Sequence, residues 1–486
     1  MNDVTFSEET IQRIFGHEAA EDELFERLRE YYFKSKTYDK IKADVSLRIL
    51  VGHKGVGKSA LFKIAMAEDR EEGRLPIFLR PNDVVGIEAS ASNFLNRIAR
   101  WKYGLQAIIA QKSLDEFGIK QEGKVADAIT AAGKTLGFLR DSLRPYSEGK
   151  IDLTPAQKML ITKFLKKASI TVYVDDLDRG WQGQREDVLS LSALVNALRD
   201  LANENPGLKF KISLRSDVYF LLRTSDESTD KLEGSVIWFS WTNHEILALL
   251  VKRIETFFGR AVDEQRLLAM AQPELAKYLR PLMVPQFIGQ GKWQNVATYR
   301  VLMSLIRKRP RDLVKLCSLA ARHAFDHDRS MIMTEDLRAI FEEYSQGRVQ
   351  DTINEFKSEL PEIERLVLNM KPNQVEKRAQ AGYVYKTDAL LQKIKNLTEQ
   401  GKFTFATGKV ATPKDLAQFM FKINFLTARK NLADGEIDRK YFEENRYVSG
   451  HSVDYGYDWE IHPAYRWALQ PNSIESIYRN IDLGEN

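Results

Sequence analysis

The sequence predicts an α/β protein: a three-layer core around a parallel sheet, then an all-helical lid and a small winged-helix-like C-terminal domain. Three observations carry this. Short apolar runs at Leu47–Val51, 74–79, Ile170–Val174 and 210–214 read as buried strands. Helical patterns at 59–67, 94–137 and 187–202 alternate with them, and strands alternating with helices imply a parallel sheet covered on both faces. After Trp241 the apolar spacing is helical almost throughout.

Each segment has its own signal. From about Glu18 to Tyr38, Leu24, Phe25 and Leu28 share one side of a predicted helix. A Pro- and Gly-containing stretch, 144–155, separates two predicted helices of an insertion at about 90–168. Thr242-Asn243-His244-Glu245 has the form of a capping box, and Ile246, Leu249, Leu250 and Phe257 follow on one face. A pair of helices is expected over 296–325, broken at Pro310, a residue tolerated at a first helical position. Further on, helices around 412–430 and β-rich stretches at Tyr447-Val448-Ser449 and Tyr457-Asp458-Trp459-Glu460-Ile461 suggest the winged unit. The expected division is therefore 1–241 (core), 242–350 (lid) and 351–486 (C-terminal domain).

Composition limits the function classes. With 43% hydrophobic and 29% charged residues in 486, the chain can build a sizeable core. A net charge of +4 is small for this length and implies neither nucleic acid nor an anionic membrane as partner. No apolar run approaches a membrane span, and the polar start lacks the pattern of a signal peptide. The lone Cys317 excludes an internal disulfide and sits on an apolar helix stripe as a small hydrophobe. A cytoplasmic location without membrane contact is the expectation.

The chemistry is concentrated in four motifs. Gly52-His53-Lys54-Gly55-Val56-Gly57-Lys58-Ser59, followed by Ala60, fits G-x-x-x-x-G-K-[ST] between a strand and a helix. Glycines let several N–H groups point at one phosphate, and the helix N-terminus adds its positive dipole end. Lys58 would reach the outer phosphates of ATP, and the Ser59 hydroxyl would ligate Mg²⁺. A similar string, Ala132-Gly133-Lys134-Thr135, lies inside a helical pattern without the upstream glycine or strand, and is rejected.

The second motif, Val172-Tyr173-Val174-Asp175-Asp176-Leu177-Asp178-Arg179, puts carboxylates at a strand end, where open α/β sheets bind ligands. Asp175 would hold Mg²⁺ through water, and Asp176 would orient or deprotonate an attacking water. An acidic strand-to-loop turn explains the same residues when taken alone. The third is Lys211-Ile212-Ser213-Leu214-Arg215-Ser216-Asp217. Here Arg215 either stabilises γ-phosphate charge or simply pairs with Asp217. In the fourth, Arg309-Pro310-Arg311-Asp312-Leu313, Arg311 points away from the stripe of Leu313, Leu316, Cys317 and Ala320, toward a ligand or toward solvent.

Together these motifs resemble the AAA+/STAND supergroup of P-loop ATPases. Asp175-Asp176-Leu177-Asp178-Arg179 is similar to the Walker B signature of KAP ATPases. Arg215 at a sensor-1 strand end resembles the STAND pattern, and Arg311 matches the place of a sensor-2 arginine. The resemblance covers roughly residues 16–325. It implies an ATPase with ATP and Mg²⁺ as cofactors, working as a nucleotide-driven switch or homo-oligomeric assembly with an effector or partner protein. The long gap from Lys58 to Asp175 implies a helical insertion. The absence there of the membrane helices that KAP proteins often carry implies a soluble, bacterial-type branch, of a kind used in signalling or anti-phage defence.

Two other functions compete. A DNA-handling ATPase would present residues 421–430 of a winged helix to the major groove, with Lys422, Arg429 and Lys430 as a basic cluster. The near balance of acidic and basic residues over 351–486 gives nucleic acid no electrostatic footprint. A small-molecule kinase would use the same cradle, but the lid and C-terminal units look like interaction modules rather than an acceptor-binding insertion.

Overall fold

Five short runs of buried aliphatic residues build the main sheet in the computed structural model, which describes residues 4–18, 22–87, 93–119, 137, 139, 142–143, 161, 164, 169–225, 227–378, 383–431, 437–444 and 456–469. The chain divides into two compact units. One holds Lys34–Lys54 and Lys58–Phe239; the other holds Met1–Phe33, Gly55–Gly57 and Ser240–Asn486.

In the first unit, strands β1 (Leu47–Val51), β2 (Leu75–Leu79), β3 (Ile170–Val174), β4 (Leu208–Leu214) and β5 (Val236–Trp238) form a sheet of order β2-β3-β4-β1-β5. Every pairing is parallel. Ile49 lies opposite Ile212, and Val172 lies between Ile77 and Phe210. These strands are dominated by buried apolar residues because helices cover both faces, although β1 carries Arg48 and β4 carries Lys209 and Lys211. The Lys58–Glu71 helix packs on β2 and β3, and Arg185–Glu204 packs on β4 and against Phe94–Glu116. Three residues of β5 are too few to show a strand pattern in the sequence, so only the pairing with β1 defines it. Because β1 sits between β4 and β5, chain segments from β1, β4 and β3 emerge side by side at the carboxyl edge.

The second unit is mostly helical. Thr242 caps Asn243–Phe257 with its side chain, and Glu245 reaches back to the Thr242 amide, completing the predicted capping box. Helix Glu8–Phe15 packs on Asn243–Phe257 and on Pro310–Asp326, and the latter packs on Thr334–Phe356. A small antiparallel hairpin joins β6 (Gln286–Ile288) to β7 (Gln294–Ala297). Helices Thr387–Gln400 and Pro413–Lys422 pack together beside a sheet of order β10-β9-β11-β8. Its strands are β8 (Val384–Tyr385), β9 (Leu426–Asn431), β10 (Ile437–Lys440) and β11 (Asp458–Ile461).

Two expected helices are shorter. The 18–38 pattern resolves into Phe25–Tyr31 and Lys36–Lys42, with extended backbone at the Tyr32 and Ser35 caps between them. The helix expected to reach residue 430 ends at Lys422. Asn424 then takes a left-handed φ of 57°, and Leu426–Asn431 becomes strand. The buried Phe425 and Leu426 are claimed by the sheet and its neighbours rather than by a helix face. Residues 421–430 therefore present no helix to a groove. Much of the insertion, the rejected string at 132–135 and the strand expected at 447–449 lie outside the described residues.

Deep in the second unit, Asp312 takes a bidentate pair from Arg307 (2.8 and 2.9 Å) and a third contact from Arg348 at 2.7 Å. Arg307 also donates to the Tyr465 hydroxyl at 2.9 Å, tying the start of Pro310–Asp326 to the C-terminal segment. Cys317 is buried as its stripe predicts, and burial pushes its thiol up to about 12. Among the described residues no helix is long and apolar enough to cross a membrane.

Candidate nucleotide-binding site

The cradle begins where β1 ends. The Gly52 amide donates to the Leu214 carbonyl at 3.2 Å, extending the β1–β4 ladder by one bond. The chain then turns sharply: Gly55 and Gly57 have φ of 83° and 98°, which L side chains rarely adopt. A Cβ added at Gly57 would touch nothing within 4 Å, so the backbone turn, not crowding, requires glycine there. Helix Lys58–Glu71 starts at once, aiming its free amides back into the loop.

The Lys58 ammonium donates to the carbonyls of Gly52 (2.9 Å) and His53 (3.1 Å). It thus curls over its own loop, held by groups that a phosphate oxygen can replace. His53 is buried, its Nδ1 lying 3.0 Å from the Ser216 hydroxyl, which ties the loop to the residues after β4. Lys54 is exposed, Ser59 half-buried and Ala60 buried on the first helical turn.

At the end of β3, Asp175 is buried and its amide continues the ladder to the Leu79 carbonyl at 3.1 Å. Its Oδ1 accepts the Ser213 hydroxyl from β4 and the Asp176 amide at 3.0 Å. Those two donors fix the carboxylate. Asp176 is exposed with a left-handed φ of 57°, which Asp tolerates better than most residues. Burial raises the Asp178 carboxyl above its ordinary value, opposed by Arg215 and then by Lys58. Arg215 is engaged with carboxylates: it donates to both oxygens of Asp217 (3.1 and 2.7 Å) and lies 3.4 Å from Asp178. This unit therefore gathers Gly52, His53, Lys58, Asp175, Asp178 and Arg215 at one sheet edge.

In the second unit, the loop tip meets the lid helix. The Arg311 amide lies 3.4 Å from the Gly55 carbonyl, and a Cβ at Gly55 would come within 3.1 Å of the Arg311 side chain. Arg311 Nε donates to the Glu18 carbonyl at 2.9 Å. The Trp241 indole donates to the Val56 carbonyl at 2.8 Å.

Ser213 and Trp241 carry no functional signature of their own in the sequence. A serine between two aliphatic residues at the end of a strand that also carries Lys209 and Lys211 is a weak signal for the first; nothing local marks the second.

The residues present fit a nucleotide phosphate chain. Two left-handed glycines, a helix N-terminus and a lysine held on replaceable loop carbonyls make an anion cradle. The hydroxyl of Ser59 and the carboxylate of Asp175 are hard oxygen donors, the set Mg²⁺ prefers. When bound, Mg²⁺ would supply charge neutralisation between phosphates.

Fold and cradle together define the class: an α/β P-loop nucleotide-binding fold. Residues 244–353 match the family model of the FunZ-associated C-terminal helical domain. The chain is 21% identical to the 80.3 kDa protein attributed to transposon gamma-delta in Escherichia coli strain K12, over 90% of this chain and 65% of that protein. It thus spans less than two thirds of that relative's length. Among solved structures, the ORC2 protein of Aeropyrum pernix with ADPNP and ADP aligns over 90% of this chain and 87% of its own, at 11% identity and a TM-score of 0.39. Cdc6p of Pyrobaculum aerophilum aligns over 98% and 97%, at 12% identity and a TM-score of 0.28. Likenesses at these TM-scores do not define the fold, which rests on the strand order and the loop.

Proposed function

We propose that the chain is an ATP-binding and ATP-hydrolysing P-loop ATPase of the AAA+/STAND kind, acting as a nucleotide-driven switch or homo-oligomeric assembly. The carrying observation is the cradle itself, with Lys58 held on the Gly52 and His53 carbonyls. In this reading Lys58 and the loop amides bind the phosphates. Ser59 and Asp175 hold Mg²⁺, with Ser213 orienting the carboxylate. Asp176 orients the attacking water. Arg215, paired with Asp217 and Asp178, would exchange a carboxylate for developing γ-phosphate charge. The place of Arg311 against Gly55 favours a lid that responds to the loop's occupant. Roles in signalling or anti-phage defence rest on the resemblance alone.

The test is bound nucleotide, phosphate release and mass in solution, for wild type and Lys58→Ala, with and without ATP and Mg²⁺. Nucleotide on wild type only, with a nucleotide-dependent mass, supports the switch. Nucleotide retained by Lys58→Ala overturns the site, and an unchanged mass overturns the assembly.

A DNA-handling ATPase is the second reading, favoured by the transposon attribution of the relative. Two of the three basic residues on which it drew point inward. Lys422 is buried and bonded to Glu359 at 2.6 Å, and Arg429 is buried 3.6 Å from Glu460. Lys430 is exposed. DNA binding that is salt-dependent yet indifferent to Lys430→Ala would move the reading to another surface.

A further inference from the structure

At the C-terminal end of helix Pro310–Asp326, two histidines one turn apart stack with ring centroids 4.2 Å apart and planes 21° from parallel. Their Nδ1 atoms are already committed. His327 Nδ1 lies 2.8 Å from the His323 main-chain carbonyl, which can only accept, so Nδ1 carries the proton. His323 Nδ1 lies 2.7 Å from Asp336 Oδ1. That carboxylate also accepts from Arg329 and, at 2.7 Å, from the Met333 amide. A carboxylate so surrounded by donors is an acceptor, and His323 Nδ1 is the donor to it. In the neutral form, both rings are therefore left with a bare Nε2 lone pair. Two imidazoles four residues apart, each held by a hydrogen bond through Nδ1, offer nitrogen donors of the kind that ligates transition metals, and the exposed His327 ring at the helix cap must tilt out of the stack for its Nε2 to share an ion with that of His323.

We propose that His323 and His327 form a binding site for a divalent transition ion of the zinc class, with Asp336 as the group that orients His323. One donor atom from each of the three residues lies within 4.8 Å of the others. His323 is half-buried and His327 exposed, so an ion can reach them from solvent. Asp336 is fully buried and shares its charge with Arg329, so its first task is positioning. The ion would be held by ring nitrogens and water, a set that suits Zn²⁺, Ni²⁺ or Cu²⁺ and disfavours Mg²⁺. This separates the site from the Mg²⁺ expected at the cradle. It would fasten the end of Pro310–Asp326 to the start of Thr334–Phe356, inside the stretch that matches the FunZ-associated helical domain.

The experiment is calorimetric titration of the full, chelator-stripped chain with Zn²⁺ alone, repeated in excess Mg²⁺. Wild type should take up one ion per chain in both conditions. His327→Ala changes an exposed side chain, so the fold should persist by circular dichroism, while affinity should fall about tenfold or more. The double variant with His323→Gln should lose the site. Absence of stoichiometric Zn²⁺ uptake by wild type, displacement by Mg²⁺, or an affinity unchanged in folded His327→Ala would each overturn the proposal.

Discussion

Trp241 donates its indole N–H to the main-chain carbonyl of Val56 at 2.8 Å, a bond from the residue before a helix cap to the middle of the phosphate loop. The indole is buried beside Phe33, with ring centroids 6.4 Å apart. The loop's shape is thus held by a side chain far along the sequence as well as by its own glycines.

Trp241→Phe keeps the packing and removes the donor, leaving the Val56 carbonyl without it. Stability should drop by about 1–2 kcal/mol in urea unfolding. Nucleotide affinity should weaken with it. An unaltered affinity would mean that this bond does not shape the loop.

Lys58→Ala should leave the fold intact, since the side chain is only half-buried and Nζ bonds two carbonyls of its own loop. Melting should shift little, whereas nucleotide co-purifying with the protein should disappear. Quantifying nucleotide released on denaturation checks both halves.

Ser213→Ala frees one oxygen of the buried Asp175 from its hydroxyl donor. If Asp175 holds Mg²⁺, turnover should fall about 10- to 100-fold, the range for loss of a group that orients a ligand. Nucleotide binding without Mg²⁺ should change little. Phosphate release and a fluorescent-nucleotide titration distinguish the two.

Asp312→Ala would strand Arg307 and Arg348 in the interior without their shared carboxylate. Removing one partner of a buried pair costs about 3–5 kcal/mol. Loss of soluble protein, or a strongly lowered unfolding midpoint, is the expected readout.

His462 is fully buried, and burial followed by the nearby Arg307 and Arg439 lowers its pKa from 6.5 to about 3, against the smaller opposing pull of Glu460 and Asp312. The Ala464 amide donates to its Nδ1 at 3.1 Å, which only a neutral ring accepts, while Nε2 lies 2.9 Å from the Tyr441 hydroxyl. A depressed pKa means the unfolded chain takes up the proton first. The stabilisation is full above pH 6.5 and is lost as pH falls from 6.5 toward 3, by at most about 1.4 kcal/mol per pH unit. Urea midpoints at pH 7 and 5 should diverge in wild type and converge in the non-titrating His462→Gln.

Local pattern made much of this legible. Apolar runs marked β1 to β4, and the capping box at Thr242 was readable because its partners lie three residues apart. Where neighbours in space are distant in sequence, the pattern misled or was silent. The 412–430 stretch looked helical, yet Leu426–Asn431 is held as strand by pairing with Ile437–Lys440 and Asp458–Ile461. Lys422 and Arg429 looked like a basic face, but Glu359 and Glu460 turn them inward.

The cradle is legible from the chain alone: strand, glycine turn, Lys58 and helix are contiguous, and the conformations they need follow from the residues present. Tertiary structure decided the rest of the site. Only the strand order β2-β3-β4-β1-β5 brings Ser213 to Asp175 and Ser216 to His53. Only folding of the other unit sets Trp241 on Val56 and Arg311 on Gly55. Those bonds join residues separated by whole strands and helices, and their partners are chosen by which apolar surfaces pack together, information that no short stretch of sequence carries.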